Sequence, residues 1–311
     1  MTDPTRPGRS RPTIGLSRAI AIGALACVAL AAAPPADASA STVTIAGDIA
    51  TCEGDGDSKT AAIVRRQPGI VMTAGDNAYE SGTPRQFRRC YHPTWGQFRA
   101  RTRPAPGNHD WQTEGAAGYF GYFGKRAGPA GRGYYSFRTG GWRVYVLATT
   151  RCQRGRSDRS GCGPGSAQYR WLKRHLAAHP SRCTLVVGHH PRFSSGVGGN
   201  NKKVAPLLWL LYRAGAELVI NGHDHNYERF APARPDGTTD LRHGMRQIIA
   251  GAGGARLTPF RKAPRSNSVV RTNASHGVLR LGLGRGHYSW QYLRTDGRPG
   301  DRGKGTCHGR P

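Results

Sequence analysis

The pattern of the chain predicts an α/β fold, a pair of mixed β-sheets wrapped by helices. Short apolar runs alternate with helical stretches as far as Val219, and beyond Arg229 the pattern is strands alone. Five segments of the alternating part end in Gly, Ala or Pro followed closely by Asp, Asn or His, as where a sheet delivers side chains to one rim.

The elements follow in order. Val43 to Ala46 reads as a strand ending at Gly47-Asp48. Ser58 is placed to cap a helix running to about Arg66, and Gly69 to Met72 returns as a second strand ending at Gly75-Asp76. Thr83-Pro84 is a cap with proline at the first helical position, opening a helix through about Tyr91. The segment closing in Arg103-Pro104-Ala105-Pro106 leads into Gly107-Asn108-His109-Asp110. Tyr134 to Arg138 and Arg143 to Ala148 form a hairpin turned at Gly140-Gly141. Ser166 to Ala178 is an amphipathic helix, with Tyr169, Leu172 and Leu176 on one side. Thr184 to Val187 is a buried strand ending at Gly188-His189-His190, and Val204 to Ala214 is an apolar helix. It feeds the strand Ala216 to Val219, which runs into Gly222-His223-Asp224-His225. Met245 to Ala250, Val278 to Leu283 and Tyr288 to Leu293 complete the strands. Residues 125–133, 151–165 and 231–243 read as loops, and the Gly/Arg-rich tail from Thr295 as irregular, held only by Cys307. There is no repeat and no linker, which implies one domain over residues 41–311.

Residues 1–40 read as a cleaved secretory signal peptide: Arg6, Arg9, Arg11 and Arg18 head a run of small apolar residues from Ala19 to Ala33. Ala36-Asp37-Ala38 and Ala38-Ser39-Ala40 fit a small-x-small cleavage rule, while Ala24-Leu25-Ala26 before Cys27 makes only an imperfect lipobox. The apolar run is too short to span a bilayer comfortably, and nothing later is apolar enough. The chain is therefore expected to be secreted, extracellular or cell-wall associated. The remaining cysteines, Cys52, Cys90, Cys152, Cys162, Cys183 and Cys307, are even in number and imply disulfides in an exported protein. Cys152 and Cys162 bracket a Gly/Arg/Ser loop and are expected to pair. For the rest, Cys52–Cys90 and Cys183–Cys307 is the choice among several. A cysteine-zinc site is excluded, since no two stand at zinc-site spacing.

The net charge of +28 favours polyanions such as phosphate-rich substrates, nucleic acid or anionic cell-surface polymers. The basic residues are spread without a dense cluster, so charge alone names no partner.

Chemistry gathers at the segment ends. Asp48, Asp76 with Tyr79, Asn108 with His109, His189, and His223 with His225 offer carboxylate, phenol, amide and imidazole donors. Together they describe two metal ions sharing a carboxylate, about 3.5–4 Å apart, which clamp a phosphoryl group and lower the pKa of a bound water.

Gly47-Asp48, Gly75-Asp76-Asn77-Ala78-Tyr79, Gly107-Asn108-His109-Asp110, Gly188-His189 and Gly222-His223-Asp224-His225 resemble, in order, the five motifs of metallophosphoesterases. Tyr79, three residues after Asp76, and Asn226-Tyr227-Glu228-Arg229 after His225 make the chain similar to the purple acid phosphatase branch. The resemblance covers about residues 43 to 293 and implies the calcineurin-like four-layer sandwich. It further implies that Asp48, Asp76, Tyr79 and His225 hold iron(III). Asp76, Asn108, His189 and His223 would hold divalent iron, zinc or manganese, with Asp76 bridging. Hard anionic donors at the first site and neutral ones at the second suit those charges. His109 is placed to protonate the leaving group, with Asp110 to orient it. The implied reaction is hydrolysis of phosphomonoesters by a metal-bound hydroxide. A phosphodiesterase or nuclease-like activity on polyanions is the alternative that the charge favours. A polyanion-binding surface protein with a vestigial site is the alternative outside enzymes.

Two features depart from the resemblance. Some members carry a histidine nine or ten residues after the ligand matching His189, where Gly198 and Gly199 stand here. The N-terminal β-sandwich of larger members has no counterpart, so the chain looks like the short form. Other residues take plainer readings. His190 should face away from His189 and act as a wall. Asp55 and Asp57 read as a solvated turn, Asp224 as a turn residue, and Trp111, Tyr119, Phe120, Tyr122 and Phe123 as packing. His92, His175, His179, His243, His287 and His308 read as surface or packing residues, with His276 an outside candidate for the rim.

Overall fold

The computed structural model describes residues 40–154, 161–261 and 263–309. The expected leader and the middle of the 151–165 loop lie outside them. The strands are β1 (Ser41–Ala46), β2 (Ile70–Ala74), β3 (Thr102–Ala105), β4 (Tyr135–Thr139), β5 (Trp142–Leu147), β6 (Thr184–Gly188) and β7 (Leu218–Asn221). They continue as β8 (Tyr227–Phe230), β9 (Arg246–Ala250), β10 (Ser268–Thr272), β11 (Gly277–Gly284), β12 (His287–Arg294) and β13 (Arg302–Thr306). One sheet has the order β13-β12-β11-β1-β2-β3, the other β10-β8-β9-β7-β6-β5-β4.

Parallel pairing explains where donors can gather. β1, β2 and β3 run parallel, as do β5, β6, β7 and β9. Parallel neighbours need a crossover, and the helices Gly56–Arg65, Ala167–Ala178 and Ala205–Arg213 supply three of them. The carboxyl ends of these strands carry the Gly-Asp and Gly-His turns, where open α/β sheets bind ligands.

Alternation along the strands builds four layers. Val43, Ile45, Met72, Leu279 and Leu281 of the first sheet meet Val144, Val146, Leu185, Val187, Leu218 and Ile220 of the second in one buried core. The residues between them face outward: Ala46, Val71 and Val278 pack with Ala61, Val64, Phe87, Tyr91 and Trp95. On the far side Tyr145, Val186 and Val219 pack with Leu172, Leu207 and Leu211. This is the expected mixed sheet pair with helices on both faces.

Several local expectations are corrected. The first helix begins at Gly56 with Asp55 at its cap, not at Ser58. Asp57 is no solvated turn: it is 4% exposed and accepts bonds from the Ser58 amide (2.9 Å) and the Thr94 hydroxyl (2.8 Å). Thr83 does cap the next helix, in a reciprocal box with Gln86. The helical path does not stop at Tyr91, however. It widens to a π-turn over Phe87–Tyr91, passes Pro93, and tightens to a 3₁₀ turn over Trp95–Arg101. Proline offers no N–H to a regular helix, so the ladder changes pitch around it. Thr150–Arg154 is helical where a loop is expected.

The tail is not irregular. β13 pairs antiparallel with β12, with Gly303 opposite Trp290 and Gly305 opposite Tyr288. A Cβ on Gly303 would lie 2.3 Å from the Trp290 ring and one on Gly305 2.4 Å from Tyr288, so the rings lie across bare backbone. Beyond it, Glu217 accepts the His308 and Gly309 amides at 3.1 and 3.0 Å. The disulfides are Cys52–Cys90, Cys152–Cys162 and Cys183–Cys307, as expected. Cys183–Cys307 ties β6 to the tail across 124 residues. Cys183→Ser with Cys307→Ser is expected to cost about 2–5 kcal/mol, mainly by releasing the unfolded chain. A urea midpoint unchanged from the parent would contradict this.

Candidate metal centre

Glycines allow the donors to converge. A Cβ on Gly107 would lie 2.0 Å from Asp76 Oδ1, and one on Gly222 2.5 Å from Asp48 Oδ2. The carboxylates therefore occupy space that any other residue would fill. The backbone is strained at the same turns: Asp48, Asp76 and His223 have φ of 59°, 50° and 75°. Residues in the left-handed region persist only where the surroundings hold them, and such residues cluster at functional sites.

The donor atoms form two groups that share one oxygen. Tyr79 Oη lies 3.0 Å from Asp48 Oδ1, 3.3 Å from Asp76 Oδ2 and 3.1 Å from His225 Nε2. His189 Nε2 lies 3.1 Å from the same Asp76 Oδ2 and 2.9 Å from Asn108 Oδ1. His223 Nδ1 closes the second group, 3.1 Å from Asn108 Oδ1 and 3.3 Å from His189 Nε2. All seven sequence-predicted donors are thus brought together. Among the described residues, Asp48, Asp76 and His189 place ligand atoms within 4.8 Å of one another.

A supporting layer fixes four of the donors. The second oxygen of Asp76 accepts the His109 amide at 2.8 Å, and that of Asp48 the His223 amide at 2.8 Å. His189 Nδ1 donates to the Ala74 carbonyl (2.9 Å) and His225 Nδ1 to the Arg256 carbonyl (2.7 Å). With Nδ1 so engaged, each ring once deprotonated aims its Nε2 lone pair into the cluster, His189 at the oxygens of Asn108 and Asp76 and His225 at that of Asp48. Lone pairs facing lone pairs at this range fit a cation between them, and a carbonyl behind the histidine is the usual support for a ligand. Sequence could not reveal these carbonyls, because every residue has one.

Electrostatics agree. Burial pushes the Asp48 carboxyl up to about 6 against the pull of His225 and His189. Burial also acts against the charge of Asp76, yet His189 and His109 hold it well below the usual carboxylate range. For His189 burial opposes charge, but Asp76 overcomes it and raises the imidazole to about 9. Burial and His189 push His223 down to about 4. Burial, Asp48 and Asp76 push the Tyr79 hydroxyl far up. These are the tensions of crowded donors, and a bound cation relieves them by favouring every deprotonated form.

The floor is buried and the mouth open. Asp48 and His189 side chains are fully buried, while His109 is 23% and His225 20% exposed. His109 donates from Nδ1 to the Glu80 carbonyl and turns Nε2 inward, 3.8 Å from Asp76 Oδ2. Asp110 does not orient it as expected. Its carboxylate accepts the Gly107 amide (2.8 Å) and the Asn77 side chain (2.8 Å), pinning the two motif turns together. Burial and then Asp76 raise its carboxyl to about 7.

Neighbouring residues complete the picture. His190 bonds Thr149 and packs 4.4 Å from the His223 ring, the wall that was expected. Asp224 does more than turn the chain, for it accepts Ser194 Oγ and the Gly198 amide, drawing that loop onto the site. A Cβ on Gly198 would come within 3.1 Å of the His223 ring and the Asp224 carboxylate, so this turn packs tightly against both side chains. His276 bonds the Ala255 carbonyl at 3.0 Å and braces the turn behind Asp48.

A sandwich of two mixed sheets with a two-pocket donor cluster at its parallel strand ends is the architecture of the dimetal phosphoesterases. The chain belongs to the calcineurin-like phosphoesterase family, whose model matches residues 41–227. It is similar to purple acid phosphatase 21 of Arabidopsis thaliana, 32% identical over 168 residues, covering 50% of this chain and 36% of that protein. It is also similar to the probable purple acid phosphatase 20 of the same plant, 25% identical over 282 residues, covering 81% of this chain and 61% of the relative. The chain thus spans less than two thirds of the length of these relatives. Among solved structures, GAP50, the anchor in the inner membrane complex of Plasmodium, shares the fold with a TM-score of 0.69. The identity is 17%, over 86% of this chain and 89% of that one.

Proposed function

We propose that the chain is an exported phosphomonoesterase that works with two metal ions. The observation that carries this is the pair of four-donor groups sharing Asp76 Oδ2. In this reading Asp48, Asp76, Tyr79 and His225 hold iron(III), and Asp76, Asn108, His189 and His223 hold divalent iron, zinc or manganese. Bound there, the ions polarise the phosphoryl oxygens and make a nucleophile of water near neutral pH. The chain's own residues do the rest. Asp76 and Asp48, locked by the His109 and His223 amides, keep the geometry fixed through turnover. His109, with Nδ1 held and Nε2 free to face a bound ester, delivers a proton to the leaving oxygen. Three disulfides support export, and no helix among the described residues is long and apolar enough to cross a membrane.

Tyr79 gives a spectroscopic check. The iron-loaded protein is expected to absorb in the visible through a phenolate-to-iron(III) transition. Tyr79→Phe should remove that band, although Asp48, Asp76 and His225 remain to hold the ion. A band that survives would place another ligand on the iron.

The charge of +28 favours a second reading, a phosphodiesterase acting on polyanions. Hydrolysis of an aryl phosphomonoester and the matching diester by metal-loaded protein separates the two. Faster monoester turnover supports the phosphatase, and a diester preference supports the alternative. No turnover of either with metals bound would leave a polyanion-binding surface protein.

A further inference from the structure

Arginines gather in a second cleft near the metal centre. It measures about 500 Å³ and opens at the start of the Ala167–Ala178 helix, where Ser166 caps the first turn. Among the described residues, Arg132, Arg151, Arg170 and Arg174 line it together with Tyr134 and Trp171, and no acidic side chain does. In a chain whose basic residues are otherwise spread out, four arginines around one concavity concentrate positive potential there. An anion is attracted to such a concavity, and guanidinium forks match phosphate oxygens in pairs. The two aromatic rings, 4.9 Å apart, give the cleft a firm wall.

The cleft is tied to the metal centre. Arg151 lies over the ring of Trp111, 4.9 Å from its centroid, and Trp111 follows His109 by two residues. Arg151 also bonds the Gly131 carbonyl, so it bridges the cleft rim to the turn that carries His109. Its Nε, the indole Nε1 of Trp111 and the hydroxyl of Thr150 are buried without a hydrogen-bond partner. From the other direction, Thr149 joins β5 to His190, which packs on His223. Contacts of Arg151 and its neighbour Thr149 thus lead from the cleft rim to both flanks of the donor cluster.

We propose that this cleft is a subsite for a second phosphoryl group of the substrate, so that the preferred substrates carry more than one phosphate. The inference rests on the phosphomonoesterase reading. It gives part of the positive charge a use, since a remote anion held by the cleft adds binding energy equally to the bound ester and its transition state, which lowers KM.

Two measurements test it. In the first, metal-loaded protein hydrolyses an aryl monophosphate and an alkanediol bisphosphate, with Arg170→Gln/Arg174→Gln beside the parent. The expected result is a KM for the bisphosphate raised about tenfold with kcat retained, and unchanged kinetics on the monophosphate. Equal effects on both substrates, or none on either, overturn the proposal. In the second, inorganic tripolyphosphate is titrated into the full chain carrying Asp76→Asn, with and without the arginine pair. Arg280→Gln/Arg302→Gln on the opposite sheet serves as the charge-matched control. Binding weakened about tenfold by the cleft pair and not by the control supports the cleft. Equal weakening by both pairs, or no binding at all, overturns it. If no ester is turned over while the tripolyphosphate difference persists, the phosphatase reading falls and the anion cleft stands.

Discussion

Asp76→Asn is expected to remove turnover by at least about a thousandfold and to weaken the binding of both metal ions. Asp76 Oδ2 is the one atom common to both donor groups, 3.3 Å from Tyr79 Oη and 3.1 Å from His189 Nε2. An amide there keeps the shape but removes the negative charge that lets two cations sit side by side. The substitution is clean in other respects. Oδ1 can still accept the His109 amide, so that turn stays anchored. Asn also tolerates the left-handed backbone that Asp76 adopts at φ 50°, where Ala would add strain. Metal content after dialysis, read with circular dichroism as a check on folding, decides the matter. Loss of only one ion would show that Asp76 belongs to a single site, and unchanged turnover would sink the dimetal reading.

The donors were legible in the sequence because each obeys a local rule with a physical cause. A carboxylate or imidazole can reach a shared point only past a residue with no side chain, hence Gly47, Gly75, Gly107, Gly188 and Gly222 before the metal-ligand turns. The sheet pair was legible too, since the unbroken apolar runs of β6 and β7 are what burial on two faces requires. What stayed hidden depends on partners distant in sequence. β13 reads as Arg-Gly-Lys-Gly-Thr, with no apolar face, because its contribution is backbone pairing and room for the rings of Trp290 and Tyr288. Asp57 reads as solvated until Thr94, 37 residues on, arrives to bond it. Asp110 and Asp224 are motif neighbours whose roles follow from the amides they collect, and sequence shows no amide's direction. The arginine cleft is hidden for the same reason, for its members come from three separate segments.

His109→Ala should separate proton delivery from metal binding. The ring touches the cluster from its open side, with Nε2 3.8 Å from Asp76 Oδ2, while its backbone amide holds Asp76 Oδ1. Removing the ring leaves that amide and all seven donors in place, so both ions should remain and the fold should be unchanged. The cost falls on the leaving group. An alkoxide is a strong base and needs a proton as the P–O bond breaks, and losing the acid should slow alkyl phosphates by about 10²–10⁴-fold. A nitrophenolate is stable without one, so the same variant should lose much less on a nitrophenyl phosphate. Gly198 and Gly199 carry no side chain that could replace it as an acid. Plotting log kcat against leaving-group pKa for the parent and the variant reads this directly. A steeper slope for His109→Ala, with metal content equal to the parent, is the expected outcome. Parallel lines would mean that His109 steadies the phosphoryl oxygens, and the proton would then have to come from solvent.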